Sequence, residues 1–139
     1  MEVVLQEDLT GCGIASVAMV AGRTYGEVKK LANSVGIHAH DTKLYSDTAY
    51  VRRLLEAYGI RVSKQERPFT SWEEIPSKAL LAIKYHIENG LPSWHWVVFS
   101  RENGKSVVLD PAKYLLNNTR TDFDRMQPKW FIEIYDVGV

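Results

Sequence analysis

A single cysteine in 139 residues, Cys12, leaves no partner for an internal disulfide and excludes a cysteine-rich zinc site. Excess charge is missing too. Seventeen Lys+Arg stand against seventeen Asp+Glu, so the formal net charge is zero. That balance gives no electrostatic footprint for nucleic acid or for an anionic membrane surface. No apolar run approaches the ~20 residues a bilayer-spanning helix needs. The N-terminus, Met1-Glu2-Val3-Val4 followed by Glu7 and Asp8, has no basic region ahead of an apolar core and does not read as a signal peptide. Repeats, low-complexity segments and linkers are absent. The expectation is one domain over residues 1–139, large enough to bury a core, in a reducing, cytoplasmic compartment where a thiol stays free.

What is present begins with the stretch from Gln6 to Met19. Cys12 lies between Gly11 and Gly13, and the run from Ile14 to Ala21 is small and apolar on nearly every side. A helix of that kind is buried all round. The thiol would then sit at a helix entry, where backbone N–H groups and the positive end of the dipole favour thiolate. Gly11 and Gly13 leave room for a second backbone or a substrate to approach the sulfur. The alternative reading is a buried structural cysteine behaving as a small hydrophobe.

Farther along, Gly22 ends the first helix, and Thr24-Tyr25-Gly26-Glu27 is a capping box. Val28, Leu31, Ala32 and Val35 then follow the helical period to Gly36. Ile37 to Thr42 reads as a polar loop. A third helix is expected from Ser46 or Asp47, with Val51, Leu54, Leu55 and Tyr58 on one face and Gly59 as its stop. The pattern then turns to period two. Ile60 and Val62 suggest a short strand, and Ser71-Trp72-Glu73-Glu74 one helical turn cut off by Pro76. Ala79 to Ile83 suits a strand covered on both faces, and His86 to Ser93 reads as loop. Trp94–Ser100 and Ser106–Asp110 flank Asn103-Gly104, a strong hairpin signal, and Trp130–Tyr135 is a last strand. Helices first and antiparallel strands afterwards make the fold class α+β.

The hairpin carries a chemical prediction. A tight Asn103-Gly104 turn pairs residues whose numbers sum to 207, so Asp110 falls opposite Val97. His95, two residues from Val97, shares a face with Asp110, as a diagonal neighbour roughly 7–8 Å away at the backbone. An imidazole oriented by a carboxylate is the base half of a thiol-activation system. The competing reading is a turn aspartate beside a strand histidine. Trp94 and Trp96 either shield this pair from water or simply pack the hairpin core. His38-Ala39-His40-Asp41 could chelate a metal, although alternate histidines in a polar loop are ordinarily solvated. No metal and no cofactor is expected.

Gln6, Cys12 at a helix start, His95 opening a strand and Asp110 fifteen residues later are similar to the papain-like arrangement of Gln, Cys, His and Asn or Asp. The chain resembles the bacteriocin-processing, double-glycine leader peptidases in their stand-alone form. Gln6 with Asp8, Cys12-Gly13 with Ala15, His95 with Trp96-Val97-Val98, and Asp110-Pro111 carry that resemblance over most of the chain. It implies a papain-like cysteine peptidase fold, with the nucleophile on a buried central helix ahead of an antiparallel sheet. It also implies a peptide or protein substrate, Cys12 as nucleophile and His95 as general base. Asp110 would hold the imidazole tautomer, and Gln6 would donate to the oxyanion beside the Cys12 backbone N–H. Other outcomes open at this stage are a peptidase-like module that binds a peptide or partner without cleaving it, and a thiol acyltransferase.

Overall fold

A computed structural model describes residues 1–135. Three helices come first, α1 (Cys12–Ala21), α2 (Tyr25–Ser34) and α3 (Ala49–Ala57). The strands follow as β1 (Arg67–Pro68), β2 (Lys78–Glu88), β3 (Leu91–Glu102), β4 (Lys105–Leu109), β5 (Thr119–Arg120) and β6 (Pro128–Glu133). They form one antiparallel sheet of order β1-β6-β2-β3-β4-β5 among the described residues, so the chain is α+β in the order its periodicity predicts.

Local signals set most boundaries. Gly22 closes α1 in the left-handed conformation, φ +66°, with its N–H on the Ala18 carbonyl. Thr24 and Glu27 make both halves of the capping box, at 3.1 and 3.2 Å. The third helix starts two to three residues later than expected, after a separate 3-10 segment. A 3-10 segment, Thr42–Ser46, is capped by the Asp41 carboxylate, which accepts the Lys43 N–H at 3.0 Å. α3 begins only at Ala49, whose N–H is taken by Asp47.

Two expectations need correction. The segment from His86 to Ser93 is not loop but the tip of a β2–β3 hairpin, pairing His86 with Ser93, Ile87 with Pro92 and Glu88 with Leu91. Its turn is Asn89-Gly90, φ +52° and +78°, the same dipeptide type that turns β3 into β4 at Asn103-Gly104. The tip stands away from the core, with Ile87 and Leu91 both exposed, so no inside–outside alternation marks it in the sequence. Ile60–Val62 likewise makes only a single bridge, Val62 to Ile134, rather than a strand. Ser71 accepts the Glu74 N–H, and the segment closes the single turn expected of it.

The sheet is covered on both sides. Leu80, Ala82, Trp96, Val98 and Ile132 face the cluster built on α1, α2 and α3. Ala79, Leu81, Ile83, Val97 and Phe99 face a second cluster with Ile75, Met126 and Phe131, roofed by Phe69, Trp72 and Phe123. This two-sided burial explains the unbroken apolar run of β2. α1 packs on β3, and all its residues from Cys12 to Met19 are buried. Leu81→Ala removes a fully buried side chain from the cluster remote from α1. Urea unfolding should show a loss of about 2–5 kcal/mol. The folded protein should keep the wild-type alkylation rate at Cys12, and a change in that rate would show that the two clusters do not act separately.

Candidate active site

β4 stops at Leu109, paired with Val98, which leaves the β3 edge open from Val97 towards His95. The start of α1 fills that opening. Trp96 N–H donates to Cys12 Sγ at 3.4 Å, and Ser16, one helical turn later, donates its hydroxyl to the Trp96 carbonyl at 3.4 Å. Positions i and i+4 share a helix face, so one face of α1 takes the place of the missing strand. Cys12 is the first residue of the helix, and its own N–H has no partner among the described residues. The sulfur is anchored beside the residue that follows His95.

The hairpin register predicted from Asn103-Gly104 holds at every β3–β4 pair, each summing to 207, as in Val98 with Leu109 and Ser100 with Val107. His95 and Asp110 meet as that register requires, with His95 Nε2 donating to Asp110 Oδ1 at 2.7 Å. Oδ1 also accepts the Ala112 N–H at 3.0 Å. Nδ1 of His95 is then the ring nitrogen left for the sulfur. Burial works against a charged imidazole here. The Asp110 hydrogen bond, a hydrogen bond with Cys12 and the sulfur's negative charge outweigh it and push His95 up to about 10. Burial also opposes a charged Asp110, which has no exposed surface, yet His95, the Ala112 N–H and Arg120 hold it below the usual carboxylate range. Arg120, which the sequence reading passed over, donates from Nη1 to Asp110 Oδ2 at 2.9 Å. Only its place in a two-residue strand records it, and the one sequence-level clue is that a buried carboxylate needs a cation.

Gln6 is brought to the same place. Its backbone N–H donates to the Pro111 carbonyl at 2.9 Å, which ties the N-terminal segment to the turn after Asp110. The side-chain amide nitrogen donates to the Asp8 and Leu9 carbonyls, both at 3.1 Å. Gln6 and His95 line a cleft of about 500 Å³, together with Leu9, Tyr45, Lys84 and Tyr114. Lys84 points there because the register shifts between Ile83 and His86, a bulge at which Lys84 adopts φ +56°.

The two glycines around Cys12 do not hold space open for a backbone or a substrate. A Cβ on Gly11 would lie 2.2 Å from the Tyr25 hydroxyl, and one on Gly13 would lie 2.0 Å from the Tyr50 hydroxyl. Tyr25, at the head of α2, donates to Asp8 at 2.7 Å, and Lys29 adds a second bond to that carboxylate at 3.2 Å. Burial and Asp8 together drive the Tyr25 hydroxyl well above its ordinary value, so it stays a donor. Trp94 and Trp96 are core residues in an aromatic cluster with Tyr85 and Trp130, as the packing reading has it. His38 and His40 stand with ring centres 6.0 Å from one another. Among the described residues no group of three or more potential ligands gathers around a metal position.

Comparison with known proteins bears on this geometry. A model of the peptidase C39 family matches residues 1–132. The chain belongs to the peptidase C39 family. Membership in this cysteine peptidase family carries the papain-like fold and a peptide or protein substrate, and agrees with the resemblance read from Gln6, Cys12, His95 and Asp110. No curated protein and no solved structure matches the chain. Within this C39 chain, the glycine–tyrosine contacts give a direct test. Gly13→Ala should destabilise by roughly 1–3 kcal/mol through overpacking against Tyr50. In the double variant with Tyr50→Ala the methyl occupies vacated space, so the two effects should fall short of additivity in a urea-unfolding cycle. Full additivity would mean that Tyr50 is not what excludes a side chain at Gly13.

Proposed function

We propose that the chain hydrolyses a peptide bond through a thioester on Cys12. The observation that carries this reading is the 2.7 Å bond from His95 Nε2 to a fully buried Asp110, beside a sulfur held by the next residue's N–H. Helix α1 would then be the buried central helix that presents the nucleophile. The thiolate attacks the carbonyl carbon, and as the C–S bond forms the carbonyl π electrons move to oxygen. The partnerless Cys12 N–H is the main-chain donor for that oxyanion. Gln6 is the second donor once one of its two N–H bonds to the Asp8 and Leu9 carbonyls is released. Collapse breaks the C–N bond, and the imidazolium proton goes to the departing amine. Water then gives one proton to neutral His95 and adds to the thioester. The C–S bond breaks, the acid leaves, and the thiolate–imidazolium pair is restored. Asp110 keeps the imidazole in one tautomer throughout.

A non-cleaving peptide-binding module is the second reading, and two observations favour it. Cys12 retains only 5% of its surface, and both N–H groups of Gln6 are engaged by main-chain carbonyls. Acyl transfer to an acceptor other than water uses the same thioester and differs only in its last step.

Gln6→Ala, once shown to fold, separates these roles. Loss of one oxyanion donor costs about 10²–10³ in turnover. Unchanged turnover of a peptide substrate would remove Gln6 from the mechanism. Thiol reactivity decides between enzyme and binding module. An imidazolium held beside the sulfur stabilises thiolate, so a coupled sulfur should alkylate with iodoacetamide at mildly acidic pH, where ordinary thiols with pKa about 8.5 are protonated. His95→Ala removes the cation and should return the rate–pH profile to that of an isolated thiol. Identical curves for wild type and His95→Ala would uncouple the two residues and put the binding module first.

A further inference from the structure

Asp110 has two carboxylate oxygens, and the mechanism above uses one. Oδ1 takes His95 and the Ala112 N–H, while Oδ2 takes Arg120 Nη1 at 2.9 Å. Arg120 is itself gripped from the far side by Asp122, with Nε on Oδ1 at 3.0 Å and Nη2 on Oδ2 at 2.8 Å. The row runs from the sulfur to the surface as Cys12, His95, Asp110, Arg120 and Asp122. From Asp110 outward the exposure rises, from 0% for its side chain through 10% for Arg120 to 42% for Asp122.

We propose that Arg120 is a positioning residue for the catalytic row. It fixes the Asp110 carboxylate in the orientation that meets His95 and takes up part of the negative charge that would otherwise act wholly on the imidazolium. This inference rests on the peptidase reading of Cys12, His95 and Asp110.

Orientation follows from the bonding. Removing the guanidinium would leave Oδ2 as a buried acceptor with nothing to bond, so the carboxylate would lose the contact that sets its plane. The charge argument follows from proximity, because a cation on one oxygen weakens the attraction the same carboxylate exerts on a cation at the other. The same contact explains why this chain carries aspartate where papain-like relatives use Asn or Asp. An asparagine bonded to His95 through its oxygen would turn its NH₂ towards the Arg120 N–H, donor against donor.

The His95 imidazole titration, followed by NMR and assigned by its absence from His95→Ala, tests the proposal. Other titratable groups stand near the ring: Cys12 on α1 bonds it, and Lys84 on β2, Lys113 and Tyr114 after β4, Glu7 and Asp8 on the N-terminal segment, and Tyr45 in the 3-10 segment line the same cleft. All of them are kept in the variants, so their contributions cancel. Arg120→Met removes the cation, and the His95 midpoint should rise by about one unit. Asp122→Asn keeps Arg120 and removes the anion that offsets it, so the midpoint should fall. Opposed shifts are not produced by a merely structural role, which lowers Tm in both variants alike. A midpoint in Arg120→Met that stays or falls overturns the proposal. If that variant does not fold, Asp122→Asn decides, and a midpoint that fails to fall overturns it. Coincident alkylation curves for wild type and His95→Ala are a separate result. They remove the peptidase reading itself, and the role of Arg120 with it.

Discussion

An ionised carboxylate with no exposed surface is the constraint on which the site's arrangement depends. Asp110 cannot be hydrated, so its charge has to be met by protein groups, and an unpaired buried carboxylate would cost several kcal/mol. Three separate pieces of chain converge to meet it, and a fourth residue closes the loop that carries them. β3 brings His95, the turn beyond β4 brings the Ala112 N–H, β5 brings Arg120, and Asn118 closes the connecting loop by donating to the carbonyls of Asp110 and Ala112 at 2.7 and 2.8 Å. The Pro111 carbonyl in the same turn holds Gln6. The segment that places the proposed oxyanion donor is therefore attached to the residue that places the base.

The second anchor is an interrupted strand. Because β4 ends at Leu109, the Trp96 N–H and carbonyl have no strand partner on that side, and Cys12 and Ser16 take them. A buried backbone polar group left unpaired costs about as much as a lost hydrogen bond, so this exchange fixes α1 in both rotation and height against β3. Tyr25 and Tyr50 then fix it from behind, each sitting where the Cβ of Gly11 or Gly13 would be. The cysteine is held against three other elements, by its own sulfur on β3 and through its flanking glycines on α2 and α3.

How much of this could be read from the chain divides along a physical line. The His95–Asp110 contact was legible because Asn103-Gly104 fixes a register, and a register fixes faces several residues away. The buried α1, the capping box of α2 and the two-sided β2 were legible because each is a local pattern of apolar or capping residues. Asn89-Gly90 carried the same turn chemistry as Asn103-Gly104 but was not read as a hairpin, since its flanks are exposed and show no alternation. Arg120, Tyr25 and Tyr50 reach the site by tertiary packing alone. An arginine in a two-residue strand leaves no periodic trace, and the glycines that mark the tyrosines record only that something is close, not what.

The energetics of the row bear on which function the fold serves. Packing alone does not call for ions at this position. Replacing a buried ion pair by apolar side chains of similar volume is often neutral or stabilising by about 1–4 kcal/mol. A module that only binds peptides could close the end of the β3–β4 hairpin with apolar side chains in place of His95, Asp110 and Arg120 together, at little cost in stability. Retaining Asp110 requires Arg120 behind it, and Arg120 in turn is held by Asp122, so one buried charge commits three side chains over thirteen residues of chain. That commitment is understandable if the outcome needed is a charged imidazole beside a sulfur, because an apolar hairpin end would let burial strip the proton from His95. The buried charge row therefore favours thiol chemistry over passive binding.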